Sequence, residues 1–369
     1  MKQSYILSRI IKTLLLSSNF RKAGISFLCL FFLTPFIKIE QSFGQDIHFS
    51  QFYMSPFTLN PAFAGAVYGM AAQVNYKDQW KSVGTPYKTY AASYDISFQK
   101  SKNAKAFFAA GINFFSDKAG DSKMGTTQAN LVGACHVYID RYTKIGGGLQ
   151  IGYAQRSIDY TALQWGNQFD GTYYNPSLNS HESQGSSSYA YPDVAAGVVW
   201  TYNNLAGMKR VVENNDLKAN FGLSVFHLSQ PKYSYIGDNE KLKMKFVMHG
   251  DILLSVPYTS LGFVPGFMYF KQGGPSEIYV GSLIRTKLRQ KSKYTRDKSS
   301  SAFSIGAFYR AKDAAIIALL LEYSHYTIGM SYDINTSALS NASVGRGGFE
   351  LTLRYVAANP FMVQSRSRF

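Results

Sequence analysis

Between residues 67 and 356 the chain alternates apolar and polar residues, and this pattern constrains the fold more than any other feature of the sequence. In the segment 347–356, every second residue from Phe349 to Tyr355 is apolar, and the residues between them are Glu350, Thr352 and Arg354. A two-residue period places successive side chains on opposite faces of a β-strand. The sequence therefore predicts an all-β fold in which each strand has an apolar face and a polar face.

Fourteen segments have this period, or are apolar enough, to form strands. They are predicted at 67–76, 87–98, 104–116, 124–139, 142–155, 189–201, 216–229, 241–256, 260–271, 276–288, 302–311, 313–323, 325–335 and 347–356. An even number of strands is typical of bacterial outer-membrane barrels, and closure of the sheet pairs every backbone amide within lipid. We therefore predict a transmembrane antiparallel β-barrel of about 14 strands.

Some alternatives stay open. The alternation in 276–288 slips near Ser282, and the run from Ala314 to Leu321 is nearly all apolar and could form a buried helix. Soluble β-sandwiches and propellers also contain short alternating strands. The composition favours the membrane barrel, because aromatic residues reach 15% and charged residues only 16%, below the usual ~25% for charged residues.

The first 44 residues have the features of a secretory signal peptide. Basic residues precede the apolar run 25–36, and Ser42-Phe43-Gly44 places small residues where signal peptidase cleaves. We predict cleavage before Gln45; a retained membrane anchor is the alternative. Export argues against a nucleic-acid partner, despite the net charge of +16. The predicted organisation is a signal peptide (1–44), an N-terminal periplasmic or plug segment (45–66), the barrel (67–356) and a C-terminal periplasmic tail (357–369).

The lengths of the connections predict which end of the barrel faces outside. Outer-membrane barrels have long extracellular and short periplasmic connections. With both termini in the periplasm, the odd-numbered connections lie outside and include the long 156–188, whereas the even-numbered ones include the tight turn at Ser324. Two even-numbered connections, 202–215 and 289–301, are longer and basic. Their charges are either ordinary solvated turn residues or a periplasmic docking patch formed by Lys209, Arg210, Lys291, Lys293, Arg296 and Lys298.

Two segments outside the strands are rich in aromatic residues. The outer connection 156–188 either binds a partner or closes its own barrel, and its aromatic residues are Trp165, Phe169, Tyr173 and Tyr174. The segment 45–66 contains several Phe and Pro residues, and aromatic side chains favour burial. We predict that it plugs the periplasmic mouth of the barrel; a disordered linker is the alternative.

No motif in the sequence indicates catalysis. The six His residues lack a metal-ligand spacing. The group His181-Glu182-Ser183 in the long outer connection is the nearest approach to a base beside a nucleophile. The sequence lacks GxSxG, a phosphate-binding loop and an acidic calcium cluster. We therefore predict a protein that is not an enzyme and has no catalytic residues, no cofactor and no metal.

The segment DIHFSQFYMSPFTLNPAFAG at 46–65 resembles the opening segment of the PorP/SprF family of outer-membrane proteins. The resemblance continues in 75–95 and in the closing GGFELTLRY at 347–355. The residues that match the family motif are Phe49, Ser50, Gln51, Asn60, Pro61, Ala62, Phe63, Gly65, Gln79 and Trp80.

The resemblance implies a non-enzymatic barrel of type IX secretion and, in gliding Bacteroidetes, of gliding motility. The partners that it implies are a secreted surface adhesin or its C-terminal sorting domain, secretion and gliding components in the periplasm, and outer-membrane lipid. For the motif residues it implies plugging and barrel closure, or contact with a partner. A channel or transporter for small or hydrophobic solutes is the alternative function.

Overall fold

The computed structural model describes residues 46–82, 84–98, 105–182, 185–204, 216–235, 237, 239–289, 300–337 and 340–357. The predicted signal peptide and most of the predicted tail lie outside these residues. Within them, antiparallel strands form one closed barrel of fourteen strands. Each strand pairs with its sequence neighbours, and the first pairs with the last from Met70–Ala357 to Gln79–Gly348. No helix in the described part of the chain is long and apolar enough to cross a membrane.

The strands are β1 (Met70–Gln79), β2 (Tyr87–Phe98), β3 (Ala106–Ala119), β4 (Met124–Tyr138), β5 (Thr143–Ser157), β6 (Ser188–Asn203), β7 (Leu217–Phe226), β8 (Lys245–Ser255), β9 (Leu261–Gln272), β10 (Ser276–Arg289), β11 (Ser301–Arg310), β12 (Ala314–Tyr323), β13 (Tyr326–Asn335) and β14 (Arg346–Ala357). Short helical turns lie at Phe52–Met54, Pro56–Leu59, Pro61–Phe63, Tyr160–Ala162, Gly166–Gln168 and Ser340–Ser343.

The connections divide between the two ends of the barrel. At one end, called the odd end, the strands are joined by 80–86, 120–123, 158–187, 227–244, 273–275, 311–313 and 336–345. At the opposite, even end they are joined by 99–105, 139–142, 204–216, 256–260, 290–300 and 324–325. The strand part of the chain begins and finishes at the even end, because Met70 pairs with Ala357 there.

Side chains of the strands alternate between the lumen and the outer face. In β4, for example, Val132, Ala134 and His136 are buried on the lumen side, whereas Leu131 and Val137 are exposed. The exposed positions of the other strands are also mostly large apolar residues. Such a wall is suited to lipid, and it results directly from the two-residue period of the sequence.

The fourteen predicted strands are confirmed, and β2 has the predicted bounds. The ambiguous run from Ala314 to Leu321 is a strand, because β12 pairs with β11 and β13 along its whole length. The slip near Ser282 leaves the pairing of β10 intact: Ser282 lies on the outer face and Leu283 is buried inside.

Four predicted strands differ from the structure by three or more residues at an end. The predicted 104–116 ends at Ala119 as β3, and the predicted 241–256 begins at Lys245 as β8. The predicted 67–76 begins at Met70 and extends to Gln79 as β1. The predicted 216–229 ends three residues earlier, at Phe226, because His227 adopts a left-handed conformation with φ of 59° that cannot continue the ladder.

Residues 46–66, called the luminal segment, lie inside the barrel. Their hydrogen-bond partners are side chains and backbone carbonyls of strands around most of its circumference. Most of the segment is buried, including Phe49, Gln51, Met54, Phe57 and Ala62. The lumen of the barrel is therefore occupied by its own chain.

Candidate functional site

The luminal segment runs through the barrel from one end to the other. Asp46 lies at the odd end, where β7, β8 and β9 meet the connections 227–244 and 273–275. The carbonyl of Ala66 accepts a hydrogen bond from Lys144, which is close to the even end of β5. The even strand count predicts that both ends of the chain lie on one side of the barrel. The first and last strands do begin and end on one side, at Met70 and Ala357, but Asp46 lies at the opposite, odd end because the luminal segment crosses the lumen. The segment is also more than a plug of one mouth, because it extends along the lumen.

The odd end of the luminal segment is held by a group of charges. Asp46 Oδ2 lies 2.6 Å from His227 Nε2 and 3.6 Å from Lys245 Nζ, and His227 Nδ1 lies 3.0 Å from Asp193 Oδ1. Burial opposes protonation of the imidazole, but Asp46 and Asp193 outweigh it and raise the pKa of His227 to about 9. Burial also opposes ionisation of Asp46, but His227 and Lys245 outweigh it and hold the pKa of that carboxyl well below its usual range. At neutral pH an imidazolium therefore bridges two carboxylates.

One carboxylate holds the first two motif residues. The backbone N–H groups of Ser50 and Gln51 donate to the two oxygens of Glu350, at 2.7 and 3.1 Å. Ser50 Oγ donates to Asp333 Oδ2 at 2.8 Å, and Arg310 Nη2 lies 2.9 Å from the same oxygen. All five residues are buried. The two amide bonds to Glu350 and the bond to the Asp333–Arg310 ion pair together form a clamp that fixes the position of the segment.

The middle of the segment is fixed through backbone carbonyls. Asn75 donates to the carbonyl of Met54 at 3.0 Å, and Arg354 donates to the carbonyl of Tyr53 at 3.0 Å. The ring of Phe52 packs edge-to-face on Phe308, with centroids 5.7 Å apart. These contacts leave little room between segment and wall: the gap lined by Phe49, Leu59 and Phe270, among others, measures about 10 Å³, about the minimum for one water.

Glycines in the wall allow the half of the segment nearer the even end to approach the strands closely. Asn60 caps the turn Pro61–Phe63 by accepting from the amide of Ala62 at 2.9 Å, and its Nδ2 donates to the carbonyl of Val198 at 2.9 Å. An added Cβ would lie 2.1 Å from Asn60 Oδ1 at Gly197 and 2.5 Å from the amide nitrogen of Ala62 at Gly148. A side chain at either glycine is therefore incompatible with the observed position of the segment.

At the even end the segment turns into β1. The amide of Gly65 donates to Asp95 Oδ2 at 2.8 Å, and His136 Nε2 donates to the carbonyl of Ala64 at 2.7 Å. Gly65 has a φ of 63°, and an added Cβ would lie 2.6 Å from the Cβ of Ala109. Both the backbone conformation and the space at this turn require glycine.

The structure brings together most of the motif residues but not all of them. Eight of the ten lie in the luminal segment, where Phe63 packs on the ring of His249 at 4.9 Å and Pro61 is buried. Gln79 and Trp80 lie instead at the odd end of β1. Trp80 has a φ of 57°, donates its amide to the carbonyl of Gly347 at 2.8 Å and packs on Tyr87. They belong to the rim that closes β1 against its neighbours.

The connection 158–187 contains a small turn with its own hydrogen bonds. Asp170 Oδ1 accepts from the amides of Thr172 and Tyr173 at 2.9 and 3.0 Å, and Phe169 and Tyr174 form a β-bridge. Trp165 and Tyr174 are half-buried, and Tyr174 donates to the side chain of the buried Gln168. Phe169 and Tyr173 are 57% and 62% exposed. Of the four predicted aromatic contacts, these two are available to a partner.

The predicted basic patch, formed by Lys209, Arg210, Lys291, Lys293, Arg296 and Lys298, lies outside the described residues. Sequence reasoning missed the wall residues that hold the luminal segment, above all Glu350, Asp333 and His227. Glu350 and Asp333 were visible only as polar members of alternating strands. The available signal was an acidic residue at a lumen-facing position. The two-residue period alone does not distinguish Glu350 from Thr352, which lies on the same face of its strand.

The match to a known protein family agrees with these observations. The model of the family "Type IX secretion system membrane protein PorP/SprF" matches residues 41–355, which include the luminal segment and nearly all of the barrel. The chain belongs to the PorP/SprF family. It is therefore a membrane barrel of the type IX secretion system, and its fold is that of outer-membrane barrels.

Solved structures that resemble this PorP/SprF protein are outer-membrane barrels with little sequence similarity. The TodX monoaromatic hydrocarbon channel deltaS2 mutant is 11% identical, with a TM-score of 0.42 and 80% of this chain and 92% of that chain covered. BamA from Haemophilus ducreyi lacking POTRA domains 1–3 is 10% identical, with a TM-score of 0.40 and coverage of 79% and 70%. The translocator domain of autotransporter NalP from Neisseria meningitidis is 11% identical, with a TM-score of 0.35 and coverage of 78% and 88%. No curated protein matches the sequence at a significant level.

Proposed function

We propose that this PorP/SprF protein is a non-enzymatic outer-membrane barrel that binds, anchors or supports export of a cell-surface protein with a C-terminal sorting domain. The observation that carries the proposal is the luminal segment, which fills the barrel and is anchored along its length. A filled lumen favours a role for the ends and connections of the barrel over transport through it. Family membership supports secretion components of the type IX system as further partners.

In this proposal the odd end faces outside and the even end faces the periplasm. The odd end carries the connections 158–187 and 227–244, which are longer than any connection at the even end. Long connections on the outer side are the rule for bacterial barrels. Asp46 then lies at the outer mouth, and secretion or gliding components contact the even end.

The exposed rings of Phe169 and Tyr173 are the proposed contacts for the surface protein. Exposed aromatic residues on a rigid turn contribute large contact areas at little entropic cost. Replacing both by Ala should release the surface protein from cells into the medium, while heat-modifiable migration shows that the barrel still folds. Tyr258→Ala is the matched control, because Tyr258 is 87% exposed but lies in a connection at the even end. Unchanged retention of the surface protein in the double variant would exclude this contact.

A further inference from the structure

We propose that the wall of this barrel binds a phosphorylated, acylated lipid of the outer leaflet. The inference begins with an apolar groove of about 1080 Å³ on the lipid-facing side of strands β3 to β9. Its choice of leaflet rests on the proposed orientation, in which the odd end faces outside.

The groove follows a single row of residues that lie opposite each other on adjacent strands, called register partners. The row begins with Phe108, Cys135 and Gly147 and finishes with Leu223, Met248 and Tyr269. Phe108 is two residues from the even end of β3, at Ala106, whereas Tyr269 is eight residues from the even end of β9, at Leu261. The groove therefore runs obliquely along the wall, from near the even end at β3 to near the odd end at β9.

These dimensions suit acyl chains. Six spacings of about 4.8 Å between adjacent strands give a length of roughly 29 Å. With a strand tilt of about 40°, the groove rises by roughly 19 Å, which exceeds half of the ~30 Å hydrocarbon core. A chain that enters at the odd end thus remains in the groove through its own leaflet.

Small residues make the floor of the groove. Gly133 and Gly147 point outward, and an added Cβ at either would meet no atom within 4 Å. On the inner side of the same strands, Gly148 and Gly197 pack directly against the luminal segment. Only one layer of backbone separates the groove from the luminal segment, so the wall lies as far inward as that segment permits.

The odd end of the groove is positively charged. In the neighbouring row Phe246 pairs with Lys271, which is exposed, and the exposed Lys243 lies against Gly273. Two further exposed lysines, Lys232 and Lys241, pair in a β-bridge of the same connection. Among the described residues of 227–244 the acidic side chain is Glu240. An apolar groove that leads to lysines is complementary to acyl chains joined to a phosphate, and a wholly apolar partner would not require the lysines.

Binding is tested with the full-length mature barrel in detergent, by native mass spectrometry with added lipid A as the probe. Lys243→Gln with Lys271→Gln should weaken the apparent affinity at least tenfold, and Lys88→Gln should leave it unchanged. Lys88 is the matched control because it is exposed at the odd end of β2, away from the groove. Dephosphorylated lipid A should bind the wild-type barrel as weakly as lipid A binds the double variant. Equal affinity for lipid A and phosphatidylglycerol would contradict the outer-leaflet source.

A second test fills the groove. Gly133→Leu with Gly147→Leu places side chains in the open space and should abolish lipid A binding, whereas Ala92→Leu, on the exposed outer face of β2, should not. Cys135 is a free cysteine in the row of register partners that lines the groove, so bound lipid A should also protect it from an apolar maleimide. Two results would overturn the proposal: lipid A binding that neither set of substitutions changes, or cross-linking of a protein rather than lipid at Cys135 in intact cells.

Discussion

At the scale of single residues, the luminal segment depends on two kinds of anchor. Glu350 holds backbone amides, so its action does not depend on the side chains of the motif. His227 holds a side-chain carboxylate, so its action depends on protonation. The first anchor lies inside the lumen and the second lies at the odd end of the barrel, which makes the two separable by experiment.

The anchor at His227 should be sensitive to pH. Its pKa is raised from 6.5 to about 9, so its contribution is complete below pH 6.5 and is lost as the pH rises through 9. Raising the pH from 7 to 10 should therefore increase labelling of Ile47→Cys by a methanethiosulfonate reagent, measured in a Cys135→Ser background. The labelling is divided by that of the exposed Tyr258→Cys, which corrects for the ionisation of the thiol. His227→Gln should give high labelling already at pH 7, because Gln cannot supply the positive charge. A ratio of Ile47→Cys to Tyr258→Cys labelling that stays constant across this range, with His227 intact, would show that the charge group does not hold the segment.

The anchor at Glu350 should be sensitive to loss of one of its two acceptor oxygens. Gln at this position has one acceptor oxygen, so one of the amides of Ser50 and Gln51 would face an NH₂ group. Leaving a buried donor without its acceptor costs about 1–3 kcal/mol, and Glu350→Gln should lower the free energy of unfolding by about that amount. It should also raise labelling of Ile47→Cys. Glu322→Gln is the control, because Glu322 pairs with Arg285 near the even end; similar labelling in both variants would argue against a specific clamp.

At the scale of elements, close contact between wall and luminal segment depends on glycines of adjacent strands. Gly147 and Gly148 are consecutive but have opposite surroundings, since Gly147 faces open space and Gly148 faces the turn Pro61–Phe63. The two-residue period of β5 alone creates this difference. They therefore form a matched pair for testing how the segment packs.

Gly148→Ala should destabilise the barrel by about 1–3 kcal/mol, the usual cost of overpacking. Gly147→Ala should be neutral or slightly stabilising, because Ala lowers the entropy of the unfolded chain. Urea unfolding in lipid vesicles measures both changes. Deleting residues 46–64 should remove the penalty at Gly148, and a penalty that persists without the segment would assign it to the strand itself.

The elements differ in how far the sequence predicts them. The strands were predictable because lipid on one side and a packed lumen on the other impose a strict period, as in β2, where the bounds agree. The apolar run in β12 was ambiguous because its lumen-facing residues, such as Ile316 and Leu320, are buried against other apolar groups. The path of the luminal segment was not predictable, because it depends on distant partners such as Glu350 and His227, and the spacing along the chain contains no information about them.

At the scale of the whole molecule, one chain supplies both the barrel and the material that fills it. The contacts of the luminal segment are distributed from Asp46 at the odd end to Ala66 at the even end. A segment held at several points does not leave the lumen when one contact is lost, so single substitutions should loosen it locally. This arrangement favours a function in binding at the ends of the barrel.

The most direct test of this account is the conductance of single barrels in planar lipid bilayers. The mature wild-type barrel should show no steady conductance, because the luminal segment fills the lumen. A barrel that lacks residues 46–64 should insert with uniform conductance steps, because the anchors on the wall then face an open, polar lumen. Steady, solute-selective conductance of the wild-type barrel, equal to that of the deletion, would contradict the account and favour a transport function.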